Sequence, residues 1–144
     1  MTRSVDVGLP ARHSSAQKVG LVVEVLTSYL LTQWWLRRRG LPAAVALAHG
    51  ERQEQADAAE LGAHSYALRL GGVVRRVLAP FPTDTRCLAR SLVLLRLLAR
   101  RGMRTSLVIG VASDPEFSAH AWVEHDSRPL LPAGGGRFQQ LTQL

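Results

Sequence analysis

Two residues of this 144-residue chain have types and settings suited to nucleophilic chemistry, Cys87 and His120. Cys87 is the only cysteine, and it falls in the first turn of a predicted helix, directly after the capping sequence Thr83-Asp84-Thr85. The unpaired N–H groups at a helix N-terminus stabilise a thiolate, and the same groups can bind an oxyanion. Cys87 therefore suits a nucleophile, provided that a general base lies beside it.

His120 is the histidine best placed to be that base. It lies in the middle of a predicted strand, Ala119-His-Ala-Trp-Val-Glu124, between two alanines that leave room for a neighbouring group. Strand alternation places His120, Trp122 and Glu124 on one face of the sheet, where a helix beginning near Cys87 could meet the imidazole. From these residues alone, a buried structural Cys87 and an ordinary strand histidine are the commoner case.

The composition excludes several classes of protein. Apolar residues make up 47% of the chain and charged residues 20%, as in an ordinary globular domain. A single cysteine excludes an internal disulfide and a cysteine-based zinc site. The net charge is +7, but the arginines are scattered and no nucleic-acid-binding motif accompanies them, so nucleic acid is not an expected partner.

The N-terminal third has no expected membrane span. The apolar stretch from Val19 to Leu36 is interrupted by five polar residues, and a spanning helix needs about 20 predominantly apolar ones. The first residues do not resemble a secretory signal, which predicts a cytoplasmic protein.

Hydrophobic periodicity predicts an α+β fold. The pattern predicts helices over 16–39, 64–79 and 87–101, an acidic helical segment over 51–60, and strands over 104–112, 117–125, 129–131 and 138–141. The third helix is apolar nearly all round, which is typical of a buried central helix. We expect a flexible arm at 1–15 and one domain at 16–144, with a helical part (16–82) followed by a central helix on a small antiparallel sheet (83–144).

The motifs around Cys87 and His120 resemble those of a known family. The order Cys87-Leu-Ala-Arg-Ser-Leu, Val-Ile-Gly-Val111 and Ala-His-Ala-Trp-Val-Glu124 is similar to that of the transglutaminase-like cysteine proteases of lasso-peptide biosynthesis, over about residues 64–144. These are the leader peptidases of that pathway. The resemblance implies a transglutaminase/papain-like core, with Cys87 as nucleophile and His120 as base. The short chain resembles the split form, which lacks its own leader-recognition domain.

The family's third catalytic member, an aspartate that orients the histidine, has no counterpart where it is expected. If His125 pairs with Arg128, the residue opposite His120 is Pro132 or Ala133. The substitutes to consider are Asp126, which we assign as the third member, a backbone carbonyl, Gln139 and Gln140. Trp122 is expected either to line the substrate cleft beside His120 or to pack beneath the central helix.

The resemblance also implies a reaction and a set of partners. The reaction is removal of the leader from a lasso-peptide precursor, with no metal or organic cofactor. The partners are the precursor peptide, a separate small leader-binding protein and a macrolactam-forming ATP-dependent cyclase. Two alternatives stay open: a non-catalytic peptide-binding subunit that keeps the peptidase fold, suggested by the missing aspartate, and an acyltransferase that resolves a thioester with an amine.

Overall fold

Three helices and four strands form the part of the chain that the computed structural model describes, residues 14–50, 60–81, 86–134 and 136–144. The elements are α1 (Ser15–Gly50), α2 (Glu60–Val77), α3 (Arg86–Ala99), β1 (Ser106–Ala112), β2 (Ser118–His125), β3 (Arg128–Pro129) and β4 (Gln139–Gln143). The predicted α+β fold is confirmed. Residues 1–13 of the arm predicted at 1–15, residues 51–59 of the acidic segment predicted at 51–60 and the capping sequence before Cys87 lie outside the described residues. Ser15, predicted as the end of the arm, is the first residue of α1.

α3 is the centre of the hydrophobic core. Every residue from Ser91 to Ala99 is buried, which fits the nearly uniform apolar character of its sequence. α1 makes the most extensive contact with α3, and α2 and the sheet pack against it as well. Because α3 is covered by several elements, its N-terminal turn is held in a fixed position relative to the sheet.

The sheet is antiparallel, with the strand order β3-β2-β1-β4. Gly110 of β1 pairs with His120 of β2, and His125 pairs with Arg128 of β3, which is the register considered in the sequence analysis. A hydrogen bond from Ser91 to Ala121 sets the first half of α3 beside β2.

Most element boundaries differ from the sequence prediction by a few residues, and the end of α1 differs most. The first helix was expected to end at Gly40, but the helix is only interrupted there, by a positive φ of 78°, and continues to Gly50. Pro42 is tolerated because it lies in the first turn of the continuing segment, where its missing N–H needs no partner. β3 was predicted over 129–131 and lies at Arg128–Pro129, and the Leu130 N–H after it donates to the Val123 carbonyl at 2.8 Å.

An ion pair connects α1 to the chain just after α3. The Arg101 guanidinium donates to both carboxylate oxygens of Glu24, at 3.1 and 2.8 Å, and to the Tyr66 hydroxyl of α2, at 2.7 Å. Burial acts to lower the pKa of Arg101, but its hydrogen bond to Glu24 and the neighbouring Tyr66 outweigh burial and raise the pKa. Arg101 is therefore charged at physiological pH, and it fixes α1 and α2 relative to the end of α3.

One described helix is long and apolar enough to cross a membrane by length and composition alone, residues 15–48 of α1. Core helices of soluble proteins and N-terminal signal sequences meet the same criterion, so it does not distinguish these cases. The absence of a membrane span stays a prediction.

Candidate active site

Cys87 is the second residue of α3 and lies half-buried against the core. Its place in the first helical turn agrees with the sequence prediction, and the N–H groups of that turn have no intrahelical acceptors. Arg86 and Arg90 lie in the same turn and add positive charge around the thiol. A helix N-terminus bordered by arginines is a setting in which reactive cysteines are found.

A buried hydrogen bond fixes the register between α3 and β2. The Ser91 hydroxyl, one turn after Cys87 on the same side of α3, donates to the carbonyl oxygen of Ala121 at 3.0 Å. Cys87 lies one helical turn, about 6 Å, before Ser91 and packs against the core cluster that includes Ala121 and Trp122, the two residues after His120. In the described part of the chain, no hydrogen bond joins the thiol to the imidazole.

The ring of His120 is oriented by a backbone carbonyl. His120 Nε2 lies 2.6 Å from the carbonyl oxygen of Pro132, just after β3. A carbonyl oxygen only accepts hydrogen bonds, so Nε2 carries the proton and donates it. In the neutral ring, Nδ1 then holds the free lone pair. Nδ1 is therefore the atom that can act as a base.

Two aromatic rings contact His120. Trp122 stacks against it at 5.9 Å between ring centroids, and Phe138 tilts against it at 5.1 Å. The Trp122 indole N–H donates to a Glu124 carboxylate oxygen at 2.8 Å, which fixes the indole in turn. Trp122 is 6% exposed, and a Cβ on Gly110 would lie 2.9 Å from its ring. The indole supports His120 from a buried position, and a contact between Trp122 and substrate stays a prediction.

The structure does not bring Asp126 to His120. Asp126 lies in the β2–β3 turn with a positive φ of 50°, and its carboxylate is 3.5 Å from His125 Nδ1. Six residues along an extended strand separate it from His120, a distance of about 20 Å. The assignment of Asp126 as the orienting group is corrected in this respect, because the Pro132 carbonyl occupies that position on His120 Nε2.

The glutamines considered as substitutes are not hydrogen bonded to His120. Gln139 and Gln140 are exposed on β4, and the Gln140 amide donates to the Gln143 side chain at 3.5 Å. Of the four substitutes considered, the backbone carbonyl is the one found at the ring.

Two residues of the site were missed in the sequence. Phe138 covers the His120 ring, and Gly134 packs so closely that a Cβ there would overlap the Phe138 ring and lie 3.6 Å from His120 Cδ2. The run Gly134-Gly-Gly136 was a usable signal, because glycines often mark a close approach of backbone to a functional group. The sequence did not indicate which group that was.

Replacing Ser91 by alanine is expected to lower the free energy of unfolding by about 1–2 kcal/mol, because the buried Ala121 carbonyl loses its donor. Chemical denaturation measures this change. The matched control is Ser118→Ala, an exposed serine on β2, which should change stability by less than about 0.5 kcal/mol. Equal effects of the two substitutions would show that this hydrogen bond does not fix the helix on the strand.

Among the described residues, no group of three or more histidine, cysteine or acidic side chains could hold a metal ion.

Comparison with protein families agrees with this geometry. A family model described as the transglutaminase-like superfamily matches residues 22–143, which include all three helices in part or whole and the four strands. Comparison with curated proteins and with solved structures gives no match. The superfamily includes cysteine peptidases and acyltransferases, both of which use a cysteine nucleophile. The chain belongs to the transglutaminase-like superfamily.

Proposed function

We propose that the chain is a cysteine peptidase that removes the leader from a lasso-peptide precursor. The observation that carries the peptidase chemistry is the hydrogen bond from His120 Nε2–H to the Pro132 carbonyl, which leaves Nδ1 as the basic nitrogen, on the strand that Ser91 of the Cys87 helix contacts. The choice of substrate rests on the resemblance of the Cys87 and His120 motifs to those of lasso-peptide leader peptidases.

The reaction begins with the Cys87 thiolate, whose proton has passed to His120 Nδ1. The Sγ atom attacks the carbonyl carbon at the leader–core junction, and the N–H groups of the first turn of α3 stabilise the oxyanion. His120 Nδ1 then protonates the leaving amine, which becomes the N-terminus of the core peptide, and a thioester to the leader remains. A water that gives its proton to Nδ1 attacks the thioester, releasing the leader carboxylate and the thiol.

The Pro132 carbonyl weakens the case for a non-catalytic subunit. That alternative was motivated by the missing aspartate, whose first role is to hold the histidine tautomer and orientation. The Pro132 carbonyl does the same at 2.6 Å, without a carboxylate.

The proposed partners follow from the leader-peptidase role. We place the reaction in the cytoplasm, with a small leader-binding protein that presents the precursor and an ATP-dependent cyclase that joins the freed amine to a side-chain carboxylate. The excess of basic residues, 18 against 11 acidic ones, suits docking on acidic surfaces of such proteins.

The test is cleavage of a lasso-peptide precursor by the purified chain together with a leader-binding protein, followed by mass spectrometry. Wild type should release the free leader acid and the core amine, whereas Cys87→Ala should lower the rate by about 1,000-fold or more. Ser118→Ala is the control variant. Cleavage that persists in Cys87→Ala would refute the cysteine mechanism. If the leader is recovered as the adduct of an added amine, the enzyme is an acyltransferase. If the precursor stays intact although Cys87 is readily alkylated, the proposal that a lasso-peptide precursor is the substrate is refuted.

A further inference from the structure

α1 carries apolar side chains on two sides, and the described part of the chain covers only one of them. Val25, Ser28, Tyr29 and Thr32 are buried in the domain. A second set of side chains is exposed, which we call the α1 stripe: Val19, Val22, Val23, Leu30 and Trp34. At 100° per residue, these five fall within an arc of about 120° and extend over about 22 Å. Most of the stripe is exposed, with Val19 at 62% and Leu30 at 66%.

The charges around the α1 stripe are positive. Lys18 lies at its N-terminal end, and exposed Arg37, Arg38 and Arg39 lie at its C-terminal end. The Arg38 guanidinium lies 5.9 Å from the Trp34 ring centroid, at the boundary between the apolar and basic parts. This set of an apolar face, a bordering tryptophan and flanking arginines is typical of helices that lie in the surface of an anionic membrane.

No free acidic group on α1 opposes such binding. Glu24 is the only acidic residue between 15 and 50, and Arg101 binds both of its carboxylate oxygens. A surface of anionic lipid would therefore meet no uncompensated negative charge along this helix. Each basic residue near such a surface strengthens binding by about fivefold.

The same charges disfavour a second copy of the chain as the occupant. A parallel pair of α1 helices would bring Arg37 to Arg39 against the same residues of the other copy. An antiparallel pair would bring Arg37 against Lys18. Both arrangements place like charges at the ends of an apolar contact, and an anionic lipid surface has neither conflict.

The contacts of α1 favour a helix that lies on the membrane over one that crosses it. Its opposite face is packed on α3, and Glu24 holds Arg101. Gly40 interrupts the helix. Crossing a bilayer would require α1 to leave α3 and expose the apolar core, whereas surface binding leaves the domain intact.

We propose that the α1 stripe, together with Arg37 and Arg38, binds the surface of an anionic lipid bilayer. The proposal is independent of the peptidase function, since it uses none of the residues around Cys87 and His120.

Vesicle cosedimentation tests this proposal with phosphatidylcholine vesicles, with and without about 30% phosphatidylglycerol. The chain should sediment with the anionic vesicles, and high salt should release it. Leu30→Gln should weaken the binding by about tenfold, because one leucine no longer enters the apolar layer. The matched control is Leu141→Gln on β4, where the leucine is equally exposed at 68%, and it should bind like wild type.

A second variant removes charge instead of apolar surface. Arg37→Gln/Arg38→Gln should weaken anionic vesicle binding by about tenfold or more while leaving the circular dichroism spectrum unchanged. The proposal is overturned if wild type does not sediment with anionic vesicles, or if Leu30→Gln and Leu141→Gln bind alike. It is also overturned if light scattering shows a dimer that Leu30→Gln dissociates, since a second copy would then cover the stripe.

Discussion

Alkylation of Cys87 by iodoacetamide is expected to proceed readily at pH 6 in the wild-type chain and to fall by about tenfold or more in His120→Ala. An ordinary thiol has less than about 1% thiolate at that pH and reacts slowly. In this chain the first turn of α3 supplies unpaired N–H groups, and His120 Nδ1 is free to take the proton. An adjacent imidazolium changes the thiolate population at low pH by about tenfold or more.

Intact mass measured from pH 5 to 9 follows this reaction without any substrate. Because Cys87 is the only cysteine, each added mass reports that thiol. The matched control is His64→Ala, a histidine of α2 that stacks on His125 at the opposite end of β2, and it should react like wild type. If His120→Ala has the wild-type rate at every pH, His120 is not the proton acceptor of Cys87. The peptidase mechanism would then fail whatever the substrate.

The Pro132 carbonyl holds the histidine without charge. A carboxylate in that position would both fix the tautomer and stabilise the imidazolium that forms when Cys87 loses its proton. The carbonyl fixes the tautomer at 2.6 Å, but it has only a partial negative charge. Stabilisation of the charged pair therefore depends more on the thiolate side, on the first turn of α3 and its neighbouring arginines.

Much of this arrangement was predictable from residue types and spacing. Capping residues before an apolar run predicted α3 and placed Cys87 in its first turn, and strand alternation placed His120 and Trp122 on one face. Counting the register from His125 and Arg128 led to Pro132 or Ala133 opposite His120. These features depend on local sequence periodicity, which secondary structure follows directly.

The remaining features depend on tertiary packing and on the backbone. A carbonyl has no side-chain identity, so nothing in the sequence distinguishes the oxygen of Pro132 from its neighbours as the partner of His120. The approach of Phe138 to His120 depends on the path of the chain between β3 and β4, which has no periodic pattern. Gly40 was a clear signal for a break, but whether a helix resumes after it is decided by the burial of Ala44 and Val45 in the core.

Replacing Gly134 by alanine is expected to lower the free energy of unfolding by about 2–4 kcal/mol and to remove the low-pH reactivity of Cys87. Two costs combine at this residue. A positive φ of 77° is unfavourable for alanine by about 1 kcal/mol, and the new Cβ would overlap the Phe138 ring. Since Phe138 lies against His120 at 5.1 Å, displacing its ring would shift the imidazole from the Pro132 carbonyl.

Gly136→Ala separates these two costs. Gly136 has the same φ of 77°, but nothing lies within 4 Å of the position where its Cβ would be. The Gly136→Ala variant should therefore lower the free energy of unfolding by only about 1 kcal/mol, and Cys87 should keep the pH profile of alkylation that it has in the wild type. Chemical denaturation and the pH series on Cys87 measure both properties on the same variants. If Gly134→Ala and Gly136→Ala lower the free energy of unfolding equally, backbone strain alone accounts for the loss and the overlap with Phe138 contributes nothing.

The double variant Gly134→Ala/Phe138→Ala tests the contact itself. Phe138→Ala removes the ring that the new methyl group would displace, so Gly134→Ala should cost only its backbone strain in that background, about 1 kcal/mol. Gly134→Ala should cost about 1–3 kcal/mol more in the wild type than in the Phe138→Ala variant. This difference in unfolding free energy measures how tightly Phe138 is held between Gly134 and His120. A coupling near zero would mean that Phe138 moves aside freely, and His120 would then owe its position to Trp122 and the Pro132 carbonyl alone.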